Sequence, residues 1–343
     1  MKIVVFGDDK RVGVLRDGQI VDATRAAAKY LREHKGERYA VEVAALAVPS
    51  DLARFIAAGA AALEGCEMAL DHLLGRAQDQ QGMLSETIVF AADAVRLHAP
   101  HPAGARIACA GANFADHAVA MAAKMRGREA PSLSIEEARA QQRKEGIRGF
   151  WKLNRDIAGP DQDVIYPAKA KRFDYEGELA IILGRTGKDI RLADARSYIW
   201  GATLLVDWSI RSPREDNPAT RFAMTKNFDT GCSMGPCIAV GELDPFDTEI
   251  ETFVNGERRQ RFSTRDMVYD FADYIAHLSE DFTLYPGDVI SGGTAAGTAA
   301  DSSPRLADGS QPPDRFLKPG DTFEVRSAAI GSLRSRVVAK AAA

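Results

Sequence analysis

The chain has 343 residues, of which 45% are apolar and 27% are charged, which is the composition of a globular protein with a core of useful size. Its formal net charge is −4, and the basic residues are scattered among acidic ones. A nucleic-acid surface needs a local excess of Lys and Arg, and a membrane span needs about 20 consecutive apolar residues. The sequence has neither feature, so we expect neither a nucleic acid nor a membrane as a partner.

The cysteines and the first residues bear on the compartment. Four cysteines in a chain of this length are too few for the disulfide framework of a small secreted protein. Cys232 and Cys237 form a C-x4-C pair, but no second ligand pair lies near them in the sequence, so zinc is not expected. Residues 1–15 lack the long apolar stretch and the small-residue cleavage site of a signal peptide. We therefore expect a cytoplasmic protein.

The first hundred residues predict a small α+β domain, residues 1–100. Residues 1–24 alternate apolar and polar side chains around Asp-Asp and Asp-Gly turns, which predicts strands joined as a hairpin. Residues 25–80 place apolar side chains at helical spacing, with a break at Pro49. The HAPHP segment at the end of this domain is a connector that its prolines hold extended.

Residues 101–343 are predicted to form the larger domain. A polar helical stretch follows its first strand, and Ser134 and Glu137 form a capping-box pattern there. We hypothesise that the helical insert from about 118 to 149 is a lid over the site, because segments of this kind often close over substrates. From Phe150 onward, short strands predominate and one helix, MVYDFADYIAHLSE, interrupts them. Strands that do not alternate regularly with helices indicate an α+β fold with mixed or antiparallel sheets, not a Rossmann or TIM fold.

Two acidic residues lie two positions apart in the apolar segment DYEGELAIILG. Strand side chains alternate between faces, so Glu176 and Glu178 point the same way. Leu179, Ile181 and Leu183 then occupy the opposite face. Two like charges side by side on a strand repel each other unless a cation joins them. The spacing is compatible with a metal site and also with a solvated strand edge.

A third carboxylate, Asp207, ends another apolar strand, ATLLVD, immediately before a turn. Three carboxylates at strand ends match the preference of Mg²⁺ and Mn²⁺ for oxygen ligands, with the remaining positions left to water or substrate. The alternative interpretation is that Asp207 is an ordinary turn residue.

The segments around these acids resemble motifs of the fumarylacetoacetate hydrolase family, in the order in which that family has them. The resemblance runs from about Arg106 to Val338. The seven matching segments are GANFADH, DYEGELAIILG, DWSIR, KNFDTGCSMGP, VNGERRQ, LSEDFTLYPGDVISGGT and FLKPGDTFEVRSAAIGSLRSRVV. The resemblance implies a mixed β-roll with a smaller N-terminal domain, assembled as a homodimer. It also implies that Glu176, Glu178 and Asp207 bind Mg²⁺ or Mn²⁺, with Ca²⁺ as a further alternative.

The same resemblance implies catalytic roles for two residues. His117 would be the general base that activates water, a task that suits a neutral imidazole near pH 7. A lone histidine can equally be structural, and only the surrounding motif favours the catalytic role. Lys226 would stabilise a developing oxyanion beside the metal; its alternative is a surface lysine.

Four more residues are predicted to bind substrate. Arg211 suits a substrate carboxylate, because its planar guanidinium can bind both oxygens, although a salt bridge within its own loop, RSPRED, is the alternative. Lys152 in FWKLN matches a lysine of the family near the site. Asn113 lies in the GANFADH motif, and Thr294 ends the Gly-rich turn SGGT.

One position departs from the family. Many members have a Glu three residues after the histidine, which completes a His–Glu dyad, but Ala120 occupies that position here. Alanine cannot orient an imidazole or stabilise its charged form. Either another acid replaces the Glu, with Asp116, Glu136 and Glu137 as candidates, or the chemistry depends less on an activated water.

These observations predict a metal-dependent hydrolase that cleaves a carbon–carbon bond in a small 1,3-diketo or acylpyruvate-type acid. The metal would act as a Lewis acid on two substrate oxygens. An isomerase, decarboxylase or hydratase that acts on a 2-oxo acid through the same enolate is the alternative, and the missing Glu favours it. A non-catalytic metal-binding paralogue is the third hypothesis.

Overall fold

The structure is a computed structural model that describes residues 1–74, 80–126, 133–168, 170–211, 224–303 and 315–341. No helix within these ranges is both long and apolar enough to cross a membrane. The helices are α1 (Ala23–Lys35), α2 (Ala40–Ala47), α3 (Leu52–Ala58), α4 (Ala60–Leu74), α5 (Ala115–Arg126), α6 (Ile135–Glu145), α7 (Leu192–Ala195), α8 (Phe271–Asp281) and α9 (Ala299–Ser302), with 3₁₀ turns at Arg196–Tyr198 and Thr264–Asp266.

The strands come mainly from the second half of the chain. They are β1 (Lys2–Phe6), β2 (Arg11–Arg16), β3 (Gln19–Asp22), β4 (Val89–Ala91), β5 (Leu97–His98), β6 (Ile107–Ala110), β7 (Gly149–Lys152), β8 (Gln162–Ile165), β9 (Phe173–Asp174), β10 (Gly177–Leu183), β11 (Ile199–Asp207), β12 (Ser209–Ile210), β13 (Cys232–Ala239), β14 (Glu249–Val254), β15 (Glu257–Ser263), β16 (Val289–Ser291), β17 (Thr322–Ser327) and β18 (Gly331–Val338).

Two large sheets and one small one organise these strands. The larger sheet has 11 strands in the order β4-β3-β2-β1-β13-β11-β10-β16-β6-β7, with β5 paired to β1. A five-stranded sheet has the order β15-β14-β17-β18-β8, and β9 pairs with β12. Most neighbours are antiparallel, whereas β16–β6 and β18–β8 are parallel. The mixed sheets confirm the predicted α+β class.

The central strand β10 is covered on both faces, and all seven of its residues are buried. Leu179, Ile181 and Leu183 pack into the core shared with the five-stranded sheet. Ala180 and Ile182 pack into a second core, which the N-terminal helices cover. A strand buried on both faces reads as a continuous apolar run, and AIIL does so. The alternation confirms the predicted division of faces.

The N-terminal strands extend the larger sheet of the second half of the chain. Lys2 and Ile3 of β1 pair antiparallel with Ala239 and Ile238 of β13. The predicted boundary at residue 100 therefore does not divide the sheet, and the division into two domains stays a prediction. Cys66, Cys109, Cys232 and Cys237 are all buried and free.

The helical insert is described on both sides of residues 127–132. Ser134 caps α6: its hydroxyl accepts a hydrogen bond from Glu137 N, and the Glu137 carboxylate accepts one from Ser134 N. The predicted capping box is thereby confirmed. The side chain of Gln142 donates to Ala112 O over 2.5 Å, which ties α6 to the loop before α5. The lid hypothesis covers residues 118–149, part of which lies outside the described ranges, and it stays a prediction.

Candidate metal centre and active site

Three buried carboxylates converge at the ends of β10 and β11. Glu176, Glu178 and Asp207 each offer an oxygen atom, and these atoms lie within 4.8 Å of one another. The three residues are 5%, 1% and 1% exposed, so the alternative of a solvated strand edge is wrong. Three carboxylate oxygens in a buried cluster fit a hard divalent cation such as Mg²⁺ or Mn²⁺.

Strand pairing brings these acids together. β10 and β11 are antiparallel neighbours, with Gly177 opposite Val206, and Asp207 N donates to Glu176 O over 2.9 Å. Glu178 also accepts a hydrogen bond from the hydroxyl of Ser291 on β16. Burial and the nearby carboxylates of Asp207 and Glu176 raise the pKa of Glu178 to about 8. A bound cation would stabilise the ionised form of this carboxyl group.

Two buried lysines compensate the negative charge. The Lys226 ammonium donates to Glu176, to Asp207 Oδ2 over 2.6 Å and to Ser209 Oγ over 2.7 Å. Lys152 donates to Asp207 Oδ1 over 2.5 Å and to the backbone oxygen of Lys226 over 2.6 Å. Lys226 is 5% exposed, which excludes the alternative of a surface lysine. The functional roles of both lysines stay predictions.

These contacts keep Glu176 ionised and Lys152 protonated. Burial alone would raise the pKa of Glu176, but the neighbouring Lys226 and Arg211 more than offset it, and the net pKa lies well below its usual range. Burial alone would lower the pKa of Lys152, but Asp207 more than offsets it and the net pKa is raised. Glu176 and Lys152 therefore both carry a full charge, and buried charges of this kind are stable only when each is paired.

Arg211 lies between two acids of the site. Its Nε donates to Asp174 Oδ2 over 2.9 Å, and its Nη2 donates to Glu176 Oε1. The remaining residues of the RSPRED segment lie outside the described ranges. The guanidinium side chain is 22% exposed, so it borders the site without being sealed in. Binding of a substrate carboxylate by Arg211 stays a prediction.

His117 lies in the first turn of α5 and faces an acid from a distant part of the chain. Its Nδ1 lies 2.8 Å from Oδ2 of Asp301 in α9 (Ala299–Ser302). A carboxylate can only accept, so Nδ1 carries the proton and Nε2 has the lone pair that a base needs. Burial lowers the pKa of His117, but the Asp301 carboxylate more than offsets this, and the net pKa is raised. His117 thus has an orienting acid.

The predicted candidates for this acid are wrong. Glu137 caps α6 with Ser134, and Glu136 is exposed. Asp116 accepts from the backbone N–H groups of His117 and Ala296 and so supports the loop, not the imidazole ring. The acid that faces His117 is Asp301, which lies in the AAGTAADSSPR segment.

Asn113 and Thr294 both make contacts to the backbone of the site. The Asn113 amide accepts from Tyr269 N and donates to Tyr269 O and Gly292 O. The Thr294 hydroxyl donates to Gly177 O over 2.9 Å and accepts from Gln260. These bonds fix the loops that surround the carboxylates. Substrate binding by either side chain stays a prediction.

Sequence reasoning missed Asp174 and Asp301. Asp301 follows Thr298 by three positions, and the Thr298 hydroxyl accepts from Asp301 N over 3.2 Å, which makes T-x-x-D a recognisable helix start. That pattern predicts where the helix begins, but not that Asp301 faces His117. Asp174 precedes the E-x-E motif by two positions, and nothing in its local spacing marks it as the partner of Arg211.

The chain is similar to known proteins in sequence and in fold. The sequence model described as "Fumarylacetoacetate (FAA) hydrolase C-terminal" matches residues 106–338. The oxaloacetate tautomerase YisK of Bacillus subtilis is 30% identical over 254 residues, covering 73% of this chain and 76% of that protein.

Two solved structures have the same fold. The fumarylacetoacetate hydrolase of Exiguobacterium antarcticum is 26% identical, with a TM-score of 0.66, over 99% of this chain and all of the other. The 5-carboxymethyl-2-hydroxymuconate delta-isomerase of Mycobacterium smegmatis is 31% identical, with a TM-score of 0.57, over 76% of this chain and 90% of the other. The matched region contains the carboxylate triad, both lysines, His117 and Asp301. The chain belongs to the fumarylacetoacetate hydrolase family.

Proposed function

We propose that this protein is a Mg²⁺- or Mn²⁺-dependent hydrolase that cleaves a carbon–carbon bond in a small 1,3-diketo or acylpyruvate-type acid. The observation that supports it best is the pairing of His117 with Asp301 near a buried carboxylate triad. Asp301 supplies the orienting acid that Ala120 cannot, which supports activation of water by His117.

Glu176, Glu178 and Asp207 would hold the cation. When bound, the cation supplies Lewis-acid stabilisation of negative charge on two substrate oxygens. His117 Nε2 would accept a proton from the attacking water, and Asp301 would keep the ring oriented and stabilise its protonated form.

Lys226 would stabilise the oxyanion that forms as water attacks. An ammonium has three N–H donors, and Lys226 directs them to Glu176, Asp207 and Ser209. An oxyanion would therefore have to replace one of these acceptors. Arg211 would contribute positive charge at the border of the site, where a substrate carboxylate could approach. We further expect a cytoplasmic homodimer.

Tautomerisation of a 2-oxo acid is the second candidate. A relative that is 30% identical is named an oxaloacetate tautomerase. An oriented His–Asp pair can shuttle a proton between carbon and oxygen as readily as it can deprotonate water, so the site supports both reactions.

Product analysis separates these reactions. The purified protein, with Mg²⁺ and separately with Mn²⁺, is incubated with acylpyruvates and with oxaloacetate. Pyruvate plus a carboxylic acid indicates hydrolysis, enol–keto exchange without cleavage indicates tautomerisation, and CO₂ indicates decarboxylation. If acylpyruvates are not cleaved while oxaloacetate tautomers interconvert, the hydrolase proposal fails.

A further inference from the structure

The buried carboxylate of Asp174 joins two halves of the active site, the carboxylate triad and the His117–Asp301 pair. Asp174 ends β9 and is 0% exposed. Its Oδ2 accepts from Arg211 Nε over 2.9 Å and from Ala300 N over 3.1 Å. Its Oδ1 accepts from Ala299 N over 2.7 Å and from its neighbour Tyr175 N over 3.0 Å. Each oxygen therefore accepts two hydrogen bonds. Arg211 donates one of the four, the backbone of α9 donates two, and Tyr175 donates one.

Arg211 connects Asp174 to the carboxylate triad, and α9 connects it to His117. The other end of the Arg211 guanidinium binds Glu176, one of the three carboxylates of the triad. The short helix α9 carries Asp301, the partner of His117. A continuous series of hydrogen bonds therefore runs from the triad through Asp174 to the base.

We infer that Asp174 is a positioning residue that supports both the cation site, through Arg211, and the orientation of His117, through α9. This inference rests on the proposed function for its kinetic consequence, but not for its structural one. Without the Asp174 carboxylate, Glu176 would be the only described acid left on Arg211, and the guanidinium would compete more strongly with a cation for that side chain. At the same time α9 would lose the acceptor for two of its backbone N–H groups, and Asp301 would no longer be held against the imidazole.

A buried aspartate–arginine pair can also serve stability alone, and the chain offers a matched control for that role. Asp22 is likewise 0% exposed. It pairs with Arg11 over 2.5 Å and accepts from Arg25 N over 3.0 Å at the start of α1. D22N removes the same kind of contacts far from the carboxylate triad, in the N-terminal part of the sheet.

The first experiment compares D174N with D22N in the full-length protein. Mn²⁺ affinity is measured by electron paramagnetic resonance, and kcat and KM are measured at saturating Mn²⁺. We expect D174N to bind Mn²⁺ about tenfold more weakly and to lose at least about tenfold in kcat. D22N should change both by less than about twofold, although it should lower Tm as D174N does. If both variants match in Mn²⁺ affinity and kcat, Asp174 is only a structural carboxylate.

A second variant separates the two halves and keeps the test valid if D174N does not fold. A299P removes one N–H donor to Asp174 at the first helical position, where proline is tolerated, and keeps the Asp174–Arg211 pair. We expect kcat to fall while Mn²⁺ affinity stays at the wild-type value. An unchanged kcat in folded A299P would contradict the positioning of Asp301 through α9.

The imidazole can also be observed without any reaction. The proton on His117 Nδ1, held by Asp301, should give a downfield NMR signal that disappears in D301N. In D174N and A299P this signal should weaken or move upfield, and in D22N it should not change. If the wild-type protein turns over none of the substrates, the proposed function fails. The NMR signal and the Mn²⁺ affinity still decide whether Asp174 supports each of the two halves.

Discussion

The Nδ1 atom of His117 and the Oδ2 atom of Asp301 are 2.8 Å apart, although 184 residues separate them in the sequence. The aspartate side chain is 3% exposed and that of the histidine is 12% exposed, so water screens the pair little. This contact restores the dyad that Ala120 interrupts. The predicted acid–base role of this pair can be tested by replacing either residue.

Replacing Asp301 by Asn should lower kcat by roughly 10- to 1000-fold, because the imidazole loses both its orientation and the charge that stabilises its protonated form. H117N should have an effect of similar size. Because the two residues act as a unit, the double variant should be little slower than either single variant. Steady-state kinetics at saturating Mg²⁺ measures all three, and D116N serves as the control with smaller loss. Additive losses would show that the two side chains act independently.

Replacing Asp301 by Asn should also shift the pH–activity profile. A base works in its neutral form, so wild-type activity rises as the pH passes the pKa of His117, which is raised despite burial because of Asp301. Removing that carboxylate lowers this pKa, and the acidic limb of kcat/KM should shift to lower pH. The profile of D301N is compared with wild type between pH 5 and pH 9, a span chosen around the usual histidine pKa of about 6.5. A shift to higher pH would contradict the assignment.

The metal-free protein should lose stability as the pH rises. Burial and the neighbouring acids raise the pKa of Glu178 to about 8 from the model-compound value of 4.5, so between these values the folded state binds a proton that the unfolded state has released. This contribution to the free energy of unfolding is complete below pH 4.5 and is lost as the pH passes 8. E178Q, which stays neutral, should flatten the slope.

Urea unfolding in EDTA at several pH values measures this effect. The gain of E178Q over wild type at alkaline pH should be on the order of a few kcal/mol. E249Q, at an exposed position of β14, should keep the wild-type slope. Equal slopes for wild type and E178Q would indicate that Glu178 is ionised in the metal-free protein.

Divalent cations should raise Tm in wild type and not in D207N. Binding only to the folded state stabilises a protein by about 2.7 kcal/mol when the ligand is present at 100 times its Kd. Thermal shift is measured in EDTA and then with Mg²⁺ or Mn²⁺. D163N, which alters an exposed ion pair with Arg336, is the control and should respond as wild type does. If wild type and D207N respond alike, the triad does not bind the cation.

Replacing Lys152 by Met should destabilise the protein by about 3–5 kcal/mol, because it leaves the buried Asp207 carboxylate with one ammonium fewer. Adding Mn²⁺ should recover part of the loss, since a cation can replace the missing charge. K188M alters an exposed lysine whose hydrogen bonds, among the described residues, go to backbone oxygens, and it should change stability by no more than about 0.5–1 kcal/mol. Urea unfolding with and without Mn²⁺ gives both values.

Local patterns account for most of the elements. Period-two alternation predicts the strands at the N-terminus, and the buried run AIIL predicts the central strand. The helix predicted for MVYDFADYIAHLSE begins only at Phe271, because Asp270 caps it with hydrogen bonds from Ala272 N and Asp273 N. Boundaries of this kind depend on a cap that the apolar period does not reveal.

The sequence by itself, with the family resemblance, predicted the carboxylate triad and the candidate base His117. Glu176 and Glu178 share a face because strand geometry has a period of two, and Asp207 ends the neighbouring strand. Only the tertiary structure decided which acid serves His117, because that contact depends on where α9 packs, not on any spacing along the chain. The same holds for Asp174, whose role arises from its position between Arg211 and α9. Local periodicity fixes which face a residue occupies, whereas the partner across a buried interface is set by how the elements pack.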